Sequence, residues 1–222
     1  MLKYRRIIQD SARRIAAAAN HTVDEYVASH VEHEPEFTGE MLGGMKEAMH
    51  GYITRGVRWT AKTLTSLCRN AQENIFGADF VGVVEFDLPE YRVTKGFLAQ
   101  AKRIEPGEHL ATDEWNRMVQ QCQKMLSVTA ESFVFIYART GITVVPALTI
   151  ASAKTRNNPH DFYSRTALRF YKDHFECFVG DRSISSADIA TLERLQAEHA
   201  LYLLASPVQQ VLDLRAQPGT PF

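Results

Sequence analysis

Polar and apolar positions along the chain follow a helical period first and a strand period later. From about Lys3 to Val31 there is no glycine or proline, and Ile7, Ile8, Ile15, Val23, Tyr26 and Val27 fit one face of a helix. Asn20-His21-Thr22 is the one place where that helix has reason to break. After Pro35, Thr38 is placed to cap a second helix that carries Met41, Leu42, Met45 and Met49 and stops at Gly51. Val57, Ala61, Leu64 and Leu67 predict a third helix from about Thr54 to Asn74. The period then changes to two, with strands over Phe80–Phe86 and Tyr91–Lys102 joined by a turn at "DLPE". Thr112 to Leu126 predicts a helix capped by Thr112, with Trp115, Met118, Val119, Cys122 and Leu126 on its apolar face. "SFVFIYA" and "ITVVPALTI" predict strands on either side of "RTG". A short helix is expected from Pro159 to about Tyr171, a strand at "HFECFVG", and a last helix from Ser185 or Ser186 to about Leu204.

Strands interrupted by a crossover-length helix predict one α/β domain with a mixed sheet. Its expected parts are a helical stretch over residues 1–53, a core over 54–205 and a loose tail over 206–222. The chain has 222 residues, 45% of them hydrophobic and 23% charged, which suits one core of ordinary size. The net charge of -1 excludes a generic polyanion binder, so any nucleic-acid surface must be a local patch. Cys68, Cys122 and Cys177 are far apart and form no CxxC pair, which speaks against a disulfide framework or a zinc knuckle. With no signal-peptide pattern and no apolar run of spanning length, the expectation is a soluble cytoplasmic protein with no membrane partner.

The candidate chemistry lies in the hairpin. With its turn at Leu88 to Glu90, Asp79 falls opposite Gln100. Alternation sets Asp79, Val81, Val83 and Glu85 on one face and Leu98, Gln100 and Lys102 on the matching face of the partner. A carboxylate, an amide oxygen and an ammonium then meet at one sheet end. The two oxygens are hard ligands suited to Mg2+, and the lysine suits a water or a developing phosphate charge. Glu73 stands six residues before Asp79, and Gly77 permits a sharp turn that returns Glu73 to its side.

"Glu73-x5-Asp79 … Gln100-x-Lys102", with "GAD" opening one strand and "QAK" closing the next, resembles the PD-(D/E)xK nuclease superfamily in its QxK variant. The variant occurs in Mrr-type restriction enzymes and in nuclease domains of bacterial anti-phage systems. The resemblance covers the order of elements from about Thr54 to Ile150. It implies a restriction-endonuclease-like mixed sheet flanked by helices, with an N-terminal helical extension. It implies a metal-dependent nuclease acting on double-stranded DNA, with Mg2+ or Mn2+ as cofactor. Asp79 takes the place of the central metal ligand, and Glu73 that of the additional acid, for which Glu36 or Glu40 are alternatives. Gln100 stands where most members carry Glu or Asp, the Ala101 carbonyl is a further ligand, and Lys102 orients water or supports charge. The neutral Gln100 keeps a second reading open: a weak or inactive module of the same fold that binds nucleic acid or scaffolds a defence complex.

Around this core, Gln120, Gln121 and Lys124 follow on the crossover helix, where Gln121 or Gln120 is a candidate to touch a phosphate or orient Lys102, or else part of a polar helix face. Arg55, Arg58, Lys62 and Arg69 recur at helical steps and are candidates for tracking a DNA backbone, or else ordinary solvated surface. Two further basic groups stand at Lys3, Arg5, Arg6, Arg13 and Arg14 and at Arg165, Arg169 and Lys172. His30 and His33 have chelating spacing without a third ligand. The apolar surface of the N-terminal helices is expected to support a homodimer, and a defence-system partner is the other expected contact.

Overall fold

The computed structural model describes residues 4–28, 34–65 and 77–208, without the side chains of Tyr26 and residues 34–36. Helix α1 (Arg5–Val27) and helix α2 (Glu34–Met49) lead into β1 (Ile53–Thr54), β2 (Val57–Thr65), β3 (Ala78–Leu88) and β4 (Tyr91–Arg103). Then come α3 (Thr112–Val128), β5 (Ser132–Ala138), β6 (Gly141–Pro146), α4 (Ala147–Ala151), β7 (Arg165–Thr166), α5 (Ala167–Phe175), α6 (Ile189–Leu195) and β8 (Ala197–Pro207). Among the described residues eight strands form one mixed sheet in the order β1-β2-β8-β3-β4-β5-β6-β7. β8 runs parallel to β3, β4 runs parallel to β5, and the remaining pairs are antiparallel.

The fold is α/β, with helices on both faces of the sheet. Apolar side chains of α1, α2 and α5 pack on one face against Trp59, Phe80, Phe97 and Phe135. On the other face α3, α4 and α6 pack against Val81, Val83, Leu98, Val134 and Ile136. Fully burying each large side chain contributes about 1.5–3 kcal/mol. The first face is largely aromatic and stays close-packed because Gly82 makes room for a ring. A Cβ there would stand 2.4 Å from Cζ of Phe97. The apolar faces of α1 and α2, from Ile7 and Ile15 to Met41 and Met49, are part of this core. The surface expected to support a dimer is thus largely spent within the chain.

The 80–86 and 91–102 strands, the 112–126 helix and the 132–138 strand form close to where the periodicity predicts them. Other expectations are corrected. The 54–74 helix is strand β2 as far as Thr65, and residues 66–74 lie outside the described ones. Val57, Trp59 and Ala61 are buried while Arg58 and Lys62 are exposed, so the real period is two. The spacing of Val57, Ala61 and Leu64 matched a helix by coincidence, and Leu64 is exposed.

The last helix is α6 alone, capped by Asp188 and ended by Gln196 in the left-handed conformation. Ala197–Pro207 is strand β8, held on both edges by neighbours. Its alanines and leucines have helical propensity, and tertiary pairing overrides it. The 142–150 strand ends at Pro146, whose extended backbone caps α4. "HFECFVG" is no strand: α5 runs into it, and Cys177 and Gly180 turn the chain with φ of 67° and 116°. Pro159 opens a one-turn 3-10 helix, and the helix proper is α5, capped by Thr166. Thr38 is buried inside α2, which starts at Glu34. Ala111 precedes α3 in the capping position, and its amide donates to Glu114 Oε2 at 3.1 Å. α1 continues through Asn20-His21-Thr22 to Val27.

Candidate functional site

β3 and β4 pair with Phe80 opposite Ala99 and Val81 opposite Leu98, which puts Asp79 opposite Gln100. This is the register expected from a turn at Leu88 to Glu90. At this end of the hairpin the Asp79 carboxylate takes over from the backbone ladder. Its Oδ2 accepts from Gln100 Nε2 at 2.6 Å and from the Ala101 amide at 2.7 Å. Two donors on one oxygen fix the direction of the carboxylate. In an extended strand the N–H and C=O of one residue point to the same edge, so the Ala101 carbonyl also faces the β3 side.

Gln100 is 2% exposed, and its Oε1 has no hydrogen-bond partner among the described residues. The expectation that Gln100 offers its oxygen to a metal or water meets a specific arrangement here. The amide NH2 holds Asp79, and the oxygen is the atom left over. Lys102 is half-buried on the same face, two residues further along β4. On β5 the neighbours of Gln100 and Lys102 are Val134 and Ile136, both fully buried. That apolar wall strengthens electrostatic interactions beside it.

Helix α3 covers this end of the sheet because Gly77 lets it approach. A Cβ on Gly77 would stand 3.0 Å from Cβ of Lys124. Burial pushes the Cys122 thiol up to about 12, while the charge of nearby Lys102 pulls the other way. Lys102 therefore lies under α3. Gln121, beside Cys122 on that helix, also has a buried Oε1 without a partner. Gln120 is exposed.

Other candidates fall elsewhere. Glu73, Arg69, His30 and His33 lie outside the described residues. The helix that carries Glu36 and Glu40 packs on the opposite face of the sheet from Asp79. Arg55 sits in the turn before β2 with φ 48° and pairs with Asp10 at 3.4 Å. Arg58 and Lys62 share no helical stripe with it. They project from β2 on the face that carries Tyr202, Asp79 and Gln100, with Lys62 opposite Tyr202 and Tyr202 beside Val83. Lys62 is thus four residues, about 13 Å, along the sheet from the row of Asp79. Arg165 and Arg169 both bind the buried Asp173 carboxylate, at 3.1 and 2.9 Å.

One acidic residue at the site was not foreseen. β8 pairs with β3 so that Ala197 meets Ala78 and His199 meets Phe80, which puts Glu198 beside Asp79. Its sequence signal is the alternation of Leu201, Leu203 and Ala205 against Ala200 and Tyr202, which a helical reading of the segment conceals.

Among the described residues no three His, Cys, Asp or Glu side chains form a metal-holding group. The donors present are oxygens: one fixed carboxylate, an orphaned buried amide oxygen and a backbone carbonyl. That chemistry fits a hard divalent cation such as Mg2+ or Mn2+ and not a thiolate- or imidazole-bound metal. Among the described residues no helix is long and apolar enough to cross a membrane. Compared with known proteins, the chain matches no family model, no curated protein and no solved structure.

Proposed function

We propose that the chain is a metal-dependent nuclease that hydrolyses phosphodiester bonds in double-stranded DNA. One observation carries the reading. Asp79, Gln100 and Lys102 share one end and one face of the β3–β4 hairpin, and the buried amide oxygen of Gln100 has no partner among the described residues. A buried polar atom costs about 1–3 kcal/mol when left unpaired, so an orphan beside a carboxylate and a lysine calls for a ligand.

A divalent cation bound here would supply a lowered water pKa and a counter-charge for the phosphate. Asp79, Gln100 Oε1 and the Ala101 carbonyl would hold it, and the two N–H donors on Asp79 keep the carboxylate aimed. Lys102 orients the attacking water or supports the charge that develops on the phosphate. Val134 and Ile136 keep bulk water off one side. Arg58 and Lys62 are the proposed contacts to the DNA backbone, and Gln121 is a second contact to the scissile phosphate. Through its resemblance to QxK nucleases, a place in anti-phage defence is the proposed setting.

A second reading has its own observation. Oδ2 of Asp79 is satisfied by two donors as the cap of a strand end, the arrangement expected of a non-catalytic module that only binds nucleic acid. The test is supercoiled plasmid with Mg2+ or Mn2+ and with EDTA. Nicking that needs the metal supports the enzyme. DNA retardation in a gel without cleavage in either metal supports the module.

A further inference from the structure

The row that crosses the sheet at Asp79 has a polar residue on each side. On β4 it is Gln100, paired to Asp79 through Nε2. On β8 it is Glu198, set by the register of Ala78 with Ala197 and of Phe80 with His199. Alternation along β8 puts Glu198 on the face of Ala200 and Tyr202, the face where Asp79, Val81 and Leu98 also lie. Neighbouring strands lie about 4.7–4.9 Å apart, so adjacent residues on one sheet face stand close together. Two carboxylates that close repel each other in the absence of a cation.

A second observation points to such a cation. The Gln100 amide oxygen is buried, unpartnered and attached to the side chain that binds Asp79. It belongs to an amide held in place, so its orphaned state follows from how Asp79 is held. The Glu198 side chain is 48% exposed, and among the described residues its contact is a long one to His199. Its Oε1 is 3.6 Å from Nε2 of His199. The register places Glu198 next to Asp79 on one face of the sheet.

We propose that Glu198 is the second carboxylate of a divalent-cation site that it shares with Asp79 and the amide oxygen of Gln100. The inference rests on the nuclease reading for its purpose, and its ligand is a hard dication taken through oxygen. It makes β8 part of the site and removes the need for an acid from the segment before β3.

The test is Mn2+ binding to the whole chain, followed by the loss of the free-ion electron paramagnetic resonance signal, with plasmid nicking measured in parallel. Variants are Asp79→Asn, Glu198→Gln, Glu73→Gln and His199→Gln. The expected result is that Asp79→Asn and Glu198→Gln each weaken Mn2+ binding by on the order of tenfold or more. Glu73→Gln and His199→Gln bind as the wild type does. His199→Gln removes the present partner of Glu198 without touching a carboxylate, so it separates a ligand from a structural ion pair. Thermal melting of Glu198→Gln, a near-isosteric change at an exposed position, should match the wild type. Wild-type Mn2+ affinity in Glu198→Gln, with loss in Asp79→Asn or Glu73→Gln, overturns the role of Glu198 and leaves the nuclease reading standing. No Mn2+ binding by the wild-type chain overturns both.

Discussion

Lys95 and Gln100 lie on the same strand, equally buried at 2% exposure, and point to opposite faces of the sheet. Their surroundings treat polarity in opposite ways. Lys95 Nζ donates to the Val179 carbonyl at 2.5 Å, and the same carbonyl accepts from His174 Nδ1 at 3.1 Å. Glu131 takes the Gly180 amide at 2.8 Å and adds its charge near the ammonium. Gly180, with φ 116°, packs so tightly that a Cβ would be 3.0 Å from Lys95 Cδ. Lys95, His174 and the Gly180 amide each have a partner there that ties the α5 end to its neighbours. Around Gln100 one amide atom is engaged and the other is not. Saturated polar burial marks structure, and partly saturated burial beside charged groups marks a place for something else. The orphan alone is not enough: among the described residues Ser11 Oγ and Trp59 Nε1 are also buried without partners.

The contrast is sharpest in cleavage. Asp79→Asn and Lys102→Ala should each lower the metal-dependent nicking rate by on the order of a hundredfold or more. Lys95→Ala should leave the rate per folded molecule unchanged. Equal losses in all three would erase the distinction between the two regions. In stability the ranking reverses. Lys95→Ala leaves a cavity and strips Val179 of its ammonium partner. Urea unfolding should show a loss of about 2–4 kcal/mol. Gln100→Glu tests the role of the orphan itself. With an oxygen still on the cation, nicking should hold or rise.

Acid should find the structural cluster first. Burial, and then the charge of Lys95, push the His174 pKa down from 6.5 to about 3, with the Val179 carbonyl opposing. The ring is neutral in the fold and gains a proton on unfolding. Its contribution is complete above about pH 6.5 and is lost as the pH falls from there toward 3, at up to about 1.4 kcal/mol per pH unit. Melting of wild type and His174→Phe across that range should differ in slope. The smallest effect is expected at the other region. Gln100→Leu removes the orphan and the Nε2 donor to Asp79, and should change stability by less than about 1 kcal/mol while abolishing Mn2+ binding.

Much of the hairpin was legible because two simple rules govern it. Alternation and a two-residue turn determine the register, and the register alone brings Asp79 to Gln100. The helix α3 was legible because Trp115, Met118, Cys122 and Met125 repeat on one stripe. β2 and β8 were not. β2 is joined by a turn only to the two-residue β1, and β8 by none to either neighbour, so the pairing of β2 with β8 and of β8 with β3 depends on residues far away in sequence. Ala-Leu-rich "AEHALYLLASP" reads locally as helix, and only the groove between β2 and β3 makes it a strand. Glu198 was hidden for the same reason. The basic residues of β2 were found as a group, but their spacing was read with the wrong period.

The position of β8 has a consequence for how the molecule comes into being on a ribosome. β2 and β3 never touch as neighbours, because β8 fills the gap between them. Until residues 197–207 have emerged, the sheet exists as two pieces, each with an open edge that invites unwanted pairing. The long sequence separation between β2 and β8 also makes this closure a late and slow step. If Glu198 belongs to the cation site, the same strand that seals the sheet also delivers the second carboxylate. A partly synthesised chain would then lack activity by construction, and DNA would be exposed to the enzyme only after the fold is closed.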